Sequence, residues 1–218
     1  MSEKPGFQRV YKFYSSHSAL RNISSQRLKV STLDDLNDPF EFLGFQLPKP
    51  EPRNSWIAAK TVLQKRIGLI SFCKSWSNPL VWGHYAENHR GLALGFDVWS
   101  SMLRPVKYYK HRRKLPNLSL TDPDLTYQAV VSALYAKYIH WQYEEEYRIA
   151  LRLPDTIQEN EMYFQPFEDW LKLSEVIVGS LSQVSAQDLV NAGLSNSTKV
   201  KRARLSFKSY RVVLAGKE

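Results

Sequence analysis

Three ionisable residues two positions apart mark the stretch best suited to chemistry: Glu144, Glu146 and Arg148. In an extended strand, residues two apart face the same side, so this spacing predicts that the three side chains share one face. Tyr147 and Ile149 then lie on the opposite face. One carboxylate can stabilise a developing positive charge while a second accepts a proton, so the pair is suited to catalysis. The structural alternative is an edge strand with a solvated polar face.

The segment 69–97 holds the densest group of aromatic and polar residues in the chain. Its apolar start predicts a strand, and Pro79 predicts the first turn of a helix, because proline loses no hydrogen bond there. His84 and His89 are five residues apart, so a helix places them on different faces and disfavours a two-histidine metal site. The pocket candidates from this segment are Ser71, Trp82, His84 and Tyr85.

Two earlier segments carry further candidates. The first aromatic strand of the chain places Lys12 on the opposite face from Tyr11. The run 37–41, Asn-Asp-Pro-Phe-Glu, predicts a turn, because Asn and Asp bond to nearby backbone and proline restricts the residue before it. This turn is either a structural lock or part of a pocket wall, with Asn37 and Asp38 as the residues concerned.

The distribution of charge favours an anionic partner. The net charge is +9 and the pI is near 9.5. Around residue 110, basic residues interleave with tyrosine, as in proteins that hold nucleic acid by phosphate contacts and base stacking. A solvated loop is the alternative. The residues predicted to contact nucleic acid are Lys110, Arg112, Arg113 and Lys114.

Length and composition predict one α+β domain over residues 1–218. With 43% hydrophobic residues the chain can bury a sizeable core. No window approaches the roughly 18 apolar residues of a membrane span, and the polar start lacks a secretory signal, so a cytosolic protein without a membrane partner is expected. A single cysteine, Cys73, excludes an internal disulfide and a cysteine-based zinc cluster, and its strand position predicts that it is buried.

The expected architecture is a mixed, largely antiparallel central sheet flanked by helices. A helix capped by Asp122 or Asp124 is predicted to run to about His140, directly before the acidic strand. The core is expected to span about 10–179, and a C-terminal helix and strands to occupy 180–214.

Several linked motifs follow one another in a characteristic order. They are Tyr11-Lys12-Phe13, the turn at 37–41, Ser71-Phe72, Trp82-Gly83-His84-Tyr85-Ala86 with His89-Arg90-Gly91, and Trp141 with the acidic run 143–148. This order resembles the bacterial family catalogued as domain of unknown function 2971. The resemblance covers roughly 10–179 and implies a fold and a site without a demonstrated reaction.

The motif order is also similar, more weakly, to that of ADP-ribosyltransferases, and the DNA-modifying members come closest. That resemblance implies an NAD-dependent enzyme that modifies a nucleic acid or a protein, in a toxin or phage-defence setting. Glu146 would stabilise the cation-like ribosyl centre as nicotinamide leaves, and Glu144 would accept a proton from the acceptor. Lys12 stands where such enzymes carry His or Arg to hold the cofactor. Arg148 would hold a cofactor phosphate or pair with a glutamate.

The leading hypothesis is therefore an ADP-ribosyltransferase-like enzyme. Its NAD contacts are predicted from Lys12, Tyr11, Ser71, His84, Tyr85 and Arg148, and the rest of its pocket from Asn37, Asp38, Trp82 and Trp141. One alternative is a non-catalytic module that binds a nucleotide or a nucleic acid. Another is a metal-dependent nuclease that uses Asp38, Glu144 and Glu146.

Overall fold

A computed structural model describes residues 6–114 and 123–216, which contain five α-helices and fifteen strands. The helices are α1 (Ser16–Ser24), α2 (Pro50–Leu63), α3 (Pro79–Tyr85), α4 (Pro123–Leu134) and α5 (Ala186–Asn191). The strands are β1 (Phe7–Tyr14), β2 (Arg27–Val30), β3 (Phe45–Gln46), β4 (Ile67–Cys73), β5 (Leu92–Trp99), β6 (Arg104–Pro105), β7 (Lys107–Tyr109), β8 (Arg113–Lys114), β9 (Ala136–Tyr138), β10 (Glu146–Arg152), β11 (Ile157–Glu159), β12 (Met162–Pro166), β13 (Leu171–Val178), β14 (Lys199–Leu205) and β15 (Val212–Leu214). No helix in these ranges is both long enough and apolar enough to cross a bilayer.

Eight of these strands form one mixed sheet in the order β15-β14-β13-β5-β1-β4-β10-β6. The pair β13 and β14 is parallel, and the other neighbours in the sheet are antiparallel. The predicted α+β fold with a mixed, largely antiparallel sheet is confirmed. The C-terminal region supplies α5, β14 and β15, as predicted.

Successive residues of β1 and β5 face opposite sides of the sheet, as the two-residue period of a strand requires. Val10 and Phe96 pack with α1 and α5 in one core. Phe13 and Ala93 pack on the other face with α3, where the rings of Phe13 and Trp82 meet edge to face at 5.1 Å. Helices therefore cover both faces of the sheet.

The sheet splits beside β4. Among the described residues, β1 joins β4 through one pair, Tyr11 with Cys73, although it pairs with β5 along its whole length. At the other end of β4, Leu69 bridges to Ser31, which follows β2. The middle of β4, at Ser71, therefore faces the gap between these two junctions.

The second half of the chain departs from the predicted helix. Asp122 lies outside the described residues, and α4 ends at Leu134 rather than near His140. The chain then forms β9, which pairs in parallel with β7, and residues 139–144 form a 3-10 helix. Pairing with β7 satisfies the backbone groups of β9, so tertiary contacts prevail over the helical spacing of apolar residues.

Candidate functional site

A pocket of about 210 Å³ opens at the split in the sheet. We call it the glutamate pocket, because three glutamates contribute to its wall. Its lining residues come from β1, β4 and β10, from segment 31–41, and from α3, β9 and the end of the 3-10 helix. They are Tyr11, Lys12, Phe13, Ser31, Asp35, Leu36, Asn37, Glu41, Ser71, Phe72, Cys73, Tyr85, Lys137, Glu144, Glu146 and Arg148.

Glu146 lies at the start of β10 with both carboxylate oxygens bonded to cations. Arg148 Nε donates to Oε1 at 2.7 Å, and Arg148 Nη2 donates to Oε2 at 3.0 Å. Lys137 Nζ also donates to Oε2, at 3.1 Å. The backbone N–H of Glu146 donates to the Tyr108 hydroxyl at 2.8 Å. The side chain lines the pocket although the residue is only 4% exposed. Its hydrogen bonds and its burial together hold the carboxylate in one position.

The charge state of Glu146 follows from these contacts. Burial by itself disfavours the ionised form, but the positive charges of Arg148 and Lys137 outweigh burial and lower the Glu146 pKa to about 2. Glu146 is therefore a carboxylate at any physiological pH. It is a poor proton acceptor and a well-placed fixed negative charge.

Arg148 connects Glu146 to the turn at 37–41. Its guanidinium forms a two-pronged pair with Glu41, through Nη2–Oε1 at 2.6 Å and Nη1–Oε2 at 3.0 Å, and Nη1 also donates to the Leu134 carbonyl oxygen at 2.7 Å. Burial raises the pKa of Glu41, and the charges of Arg148 and Lys137 oppose that rise without cancelling it. Arg148 is 1% exposed, so it is an internal ion-pair partner and has little surface to offer a ligand phosphate.

The turn that supplies Glu41 is held by the hydrophobic core. Phe42 adopts a left-handed conformation with φ of 62°, and its ring stacks on Trp56 of α2 at 4.9 Å. Trp56 Nε1 donates to the Phe42 carbonyl oxygen at 2.6 Å. Asp38 is buried, and its Oδ1 accepts a hydrogen bond from the Phe40 N–H. Asp38 therefore locks the turn from within, while Asn37 and Glu41 face the pocket.

Glu144 belongs to a second chain of contacts that shares Lys137. Lys137 Nζ donates to Glu144 Oε2 at 2.7 Å, and the Tyr85 hydroxyl donates to Glu144 Oε1 at 2.5 Å. Asn37 Nδ2 in turn donates to the Tyr85 hydroxyl oxygen at 2.6 Å. The pKa of Lys137 is raised because Glu146 and Glu144 outweigh its burial, so it stays protonated between the two carboxylates. Burial and Glu144 raise the pKa of Tyr85, which stays neutral.

The backbone route to Glu144 differs from the predicted one. The spacing predicts that Glu144 and Glu146 lie on one face of one strand, but Glu144 ends the 3-10 helix and β10 begins at Glu146. Glu145 between them has φ of 44°, a left-handed conformation that reverses the chain. The two carboxylates approach Lys137 from different elements, so their proximity comes from a turn and not from strand alternation.

Lys12 reaches into the split. Its Nζ donates to the Ser71 carbonyl oxygen at 3.0 Å, and Ser71 is the register partner of Arg148 on β10. Burial lowers the pKa of Lys12, although the charge of Glu146 works in the opposite direction. Lys12 thus presents an amine to the pocket, and its hydrogen bond goes to a backbone carbonyl oxygen rather than to a carboxylate.

The remaining predicted site residues divide between the pocket and its surroundings. Tyr11 lines the pocket, and burial, reinforced by Glu175, raises its pKa to about 12. His84 is exposed on α3, with its ring 5.8 Å from that of Tyr143, and it is not part of the lining. Trp82 is fully buried in the core. Trp141 covers Lys137, whose Nζ lies 4.9 Å from the centre of the indole ring.

The predicted list omits Glu41, Lys137 and Tyr108. Glu41 lies inside the turn motif, so its position in the sequence gave a usable signal. Lys137 gave no such signal, because it falls inside the helix that was predicted to run to about His140. Tyr108 gave no signal either. It is the register partner of Lys137 across β7 and β9, and a helix at Lys137 is incompatible with that pairing.

A second pocket, of about 360 Å³, lies on the other side of Lys137. We call it the basic pocket, and it is lined by Phe40, Leu43, Gly44, Tyr109, Lys110, His111, Arg112, Ala136, Lys137 and Tyr138. Lys110 and Arg112, two of the predicted nucleic-acid contacts, line it. Arg113 instead lies between the rings of Phe45 and Tyr109, at 4.4 and 4.5 Å, and bonds to Ser132. Lys114 is exposed on β8.

The proposed metal site of a nuclease does not fit this geometry. Lys137 Nζ occupies the space between Glu144 and Glu146. Asp38 Oδ1 accepts a hydrogen bond from the Phe40 N–H within its own turn. In ranges 6–114 and 123–216, no group of three His, Cys, Asp or Glu residues is arranged to hold a metal ion. Cys73 is buried, as predicted, and burial raises the pKa of its thiol.

No protein-family model, curated protein or solved structure matches the chain. The two family resemblances stay predictions.

Replacement of Arg148 by Met should leave Glu41 and Glu146 buried without their main partner. Removing one member of a buried ion pair typically costs about 3–5 kcal/mol, so we expect the free energy of unfolding to fall by that amount. Arg152→Met is the matched control on the same strand, because Arg152 is largely exposed and its contact with Asp155 is worth less than about 1 kcal/mol. Urea unfolding measures both. An Arg148→Met protein as stable as Arg152→Met would contradict the assigned role of the ion cluster.

The depressed pKa of Glu146 also predicts a pH dependence. An acid whose pKa is lower in the folded state stabilises the fold above its ordinary pKa of 4.5, and this contribution is lost as pH falls towards about 2. The difference in unfolding free energy between the wild type and Glu146→Gln should therefore shrink between about pH 5 and pH 3. Chemical unfolding at a series of pH values measures it, and a pH-independent difference would refute the assignment.

Proposed function

We propose that this protein is an ADP-ribosyltransferase-like enzyme of the domain of unknown function 2971 type, which uses NAD to modify a nucleic acid or a protein. A toxin or phage-defence role belongs to the same proposal. The observation that carries it is the adjacency of β1, β4 and β10 in the sheet. Each of these strands bears one of the linked motifs, and together they bring Lys12, Ser71 and Glu146 to one pocket.

The chemistry of the glutamate pocket suits the reacting end of NAD. That end carries a positively charged nicotinamide on a ribose with two hydroxyls, and its transfer passes through a ribosyl centre with developing positive charge. Glu146 offers a permanently ionised carboxylate that Arg148 and Lys137 hold in place. A fixed charge of this kind needs no reorganisation during the reaction, so it can stabilise the transition state more than the ground state.

The size of the pocket limits what enters it. A volume of about 210 Å³ is below the usual range for a drug-sized ligand, so we expect the nicotinamide and its ribose to enter while the diphosphate and adenine extend outside. Lys12 lines the same pocket and donates hydrogen bonds, which suits ribose hydroxyls. Arg148 acts as a positioning residue, since its donors are committed to Glu41, Glu146 and a backbone carbonyl.

Glu144 is suited to proton transfer. It shares Lys137 with Glu146 but also accepts from the Tyr85 hydroxyl, which reaches the pocket wall together with Asn37. Glu144 has one oxygen on Lys137 and the other on the Tyr85 hydroxyl, whereas both oxygens of Glu146 are bonded to cations, so Glu144 is the carboxylate better placed to accept a proton. The two glutamates therefore have different roles: Glu146 provides the fixed negative charge, and Glu144 acts as the general base.

Replacement of Glu146 by Gln tests the proposal. The amide keeps the shape but removes the charge, so we expect NAD turnover to fall by on the order of 10²–10³-fold while NAD affinity changes little. Glu145→Gln is the matched control, because Glu145 is the adjacent glutamate and its side chain is exposed. Nicotinamide release and transfer of labelled ADP-ribose, with DNA, RNA or cell lysate as acceptor, are measured for both variants.

The opposite results have clear meanings. Equal turnover in Glu146→Gln and wild type would remove Glu146 from the reaction. Absence of NAD binding and turnover under every condition would overturn the enzyme proposal and favour the non-catalytic nucleotide- or nucleic-acid-binding module.

A further inference from the structure

The basic pocket is formed by two short parallel ladders. Residues 109–112 connect β7 to β8, β7 pairs with β9, and β8 pairs with β3. Tyr109 and Tyr138 are direct register partners across the β7 and β9 ladder, so two tyrosines stand side by side in the wall. The floor contains the small residues Gly44 and Ala136, which leave room for a flat group between the aromatic side chains.

The lining combines cations and aromatic rings, and none of its described residues is acidic. Lys110 and Arg112 are exposed, and the Arg112 guanidinium lies 5.2 Å from the centre of the Phe40 ring. Phe40 is 53% exposed and Tyr138 is 43% exposed, and the Tyr138 ring stacks on His140 at 4.7 Å with nearly parallel planes. Solvent-facing aromatic rings beside exposed basic groups are the combination by which proteins hold a base and its phosphate.

The ladder of β7 and β9 is also the partition between the two pockets. Alternate residues of a strand face opposite sides. On β9, Ala136 and Tyr138 line the basic pocket, while the Lys137 ammonium lies among Glu144, Glu146 and Glu41 in the glutamate pocket. Lys137 lines both pockets, so a ligand in the basic pocket lies one side chain away from the carboxylate assigned as the base.

We propose that the basic pocket binds a nucleotide of single-stranded nucleic acid, with the base against Tyr109, Tyr138 and Phe40 and the flanking phosphates on Lys110 and Arg112. This nucleotide anchors the strand, and a neighbouring nucleotide of the same strand enters the glutamate pocket as the acceptor, a role that rests on the proposed function. In the transfer, Glu144 takes the proton of a base nitrogen or hydroxyl whose lone pair forms the new bond to ribose C1′. Nicotinamide leaves with the electron pair of the C1′–N bond.

The test compares variants of the full chain for binding of fluorescently labelled single-stranded DNA and RNA by anisotropy at several salt concentrations. Lys110→Ala/Arg112→Ala should weaken binding and reduce the salt slope by about 1.4, because two phosphate contacts are lost and each contributes about 0.7 on a single strand. Tyr138→Ala should weaken binding roughly tenfold or more with the salt slope unchanged, because stacking is not ionic. A preference for one oligonucleotide over the other identifies the acceptor as DNA or RNA.

Two control variants remove the same types of side chain at positions outside the basic pocket. Lys65→Ala/Arg66→Ala removes one exposed lysine and one exposed arginine that line neither pocket, and Tyr210→Ala removes a fully exposed tyrosine between β14 and β15. Both should bind the oligonucleotides like the wild type. Equal losses in the controls and the pocket variants would overturn the proposal, and so would pocket variants that lose NAD affinity while they keep the oligonucleotide.

The same preparations separate this proposal from the proposed function. Glu146→Gln lies in the other pocket, so it should keep oligonucleotide binding even where NAD turnover is lost. NAD turnover without oligonucleotide binding in the wild type would overturn the present proposal and leave the enzyme proposal standing. A third outcome is that the wild type binds the oligonucleotide, the pocket variants lose this binding, and no NAD turnover is seen. This outcome would overturn the acceptor role and the enzyme proposal, and it would leave the basic pocket as a nucleic-acid site.

Discussion

The buried ion cluster of Glu41, Glu144, Glu146, Lys137 and Arg148 is the constraint on which the site depends. Three carboxylates and two cations are buried together when the chain folds. Desolvation of each charge costs several kcal/mol unless its partners are correctly placed. The hydrogen bonds between them are 2.6 to 3.1 Å long, and both Arg148 and Lys137 bond to more than one carboxylate. Such a cluster tolerates little displacement, so every element that contributes a charge must be held accurately.

The fold brings these charges together from four segments: the turn at 37–41, β9, the 3-10 helix and β10. The antiparallel register of β4 and β10 sets Arg148 opposite Ser71, the Trp56 contacts hold the turn of Glu41, and pairing of β7 with β9 positions Lys137. The split between β1 and β4 then exposes one side of the cluster to a pocket. A rigid, preorganised charge at the base of an opening is the arrangement that electrostatic catalysis requires, so the residues that stabilise the cluster are the ones on which the proposed function relies.

The parts predictable from the sequence are those that depend on local patterns. An aromatic run with polar residues on its alternate face predicted β1, a short apolar run predicted β4, and the proline after Asn78 predicted the start of α3, where the Asn78 side chain accepts from Leu80 N–H. The grouping of Tyr11, Asn37, Ser71 and Glu146 in one pocket was also predicted. Lys137 and the route of Glu144 were not, because they depend on a strand pairing and a left-handed residue that no local pattern specifies. His84 and Tyr85 were both predicted to line the pocket, and of the two only Tyr85 does so among the described residues.

The central claim is that the ion cluster keeps Glu146 ionised inside its pocket. The most direct test is a pH titration of the glutamate side-chain carboxyl carbons by ¹³C NMR, with Glu146→Gln to assign the resonance. The account predicts that the Glu146 resonance stays at its ionised position from neutral pH down to about pH 3 and moves only near pH 2. A midpoint at or above the ordinary value of 4.5 would contradict it, because Arg148 and Lys137 would then fail to offset the cost of burial.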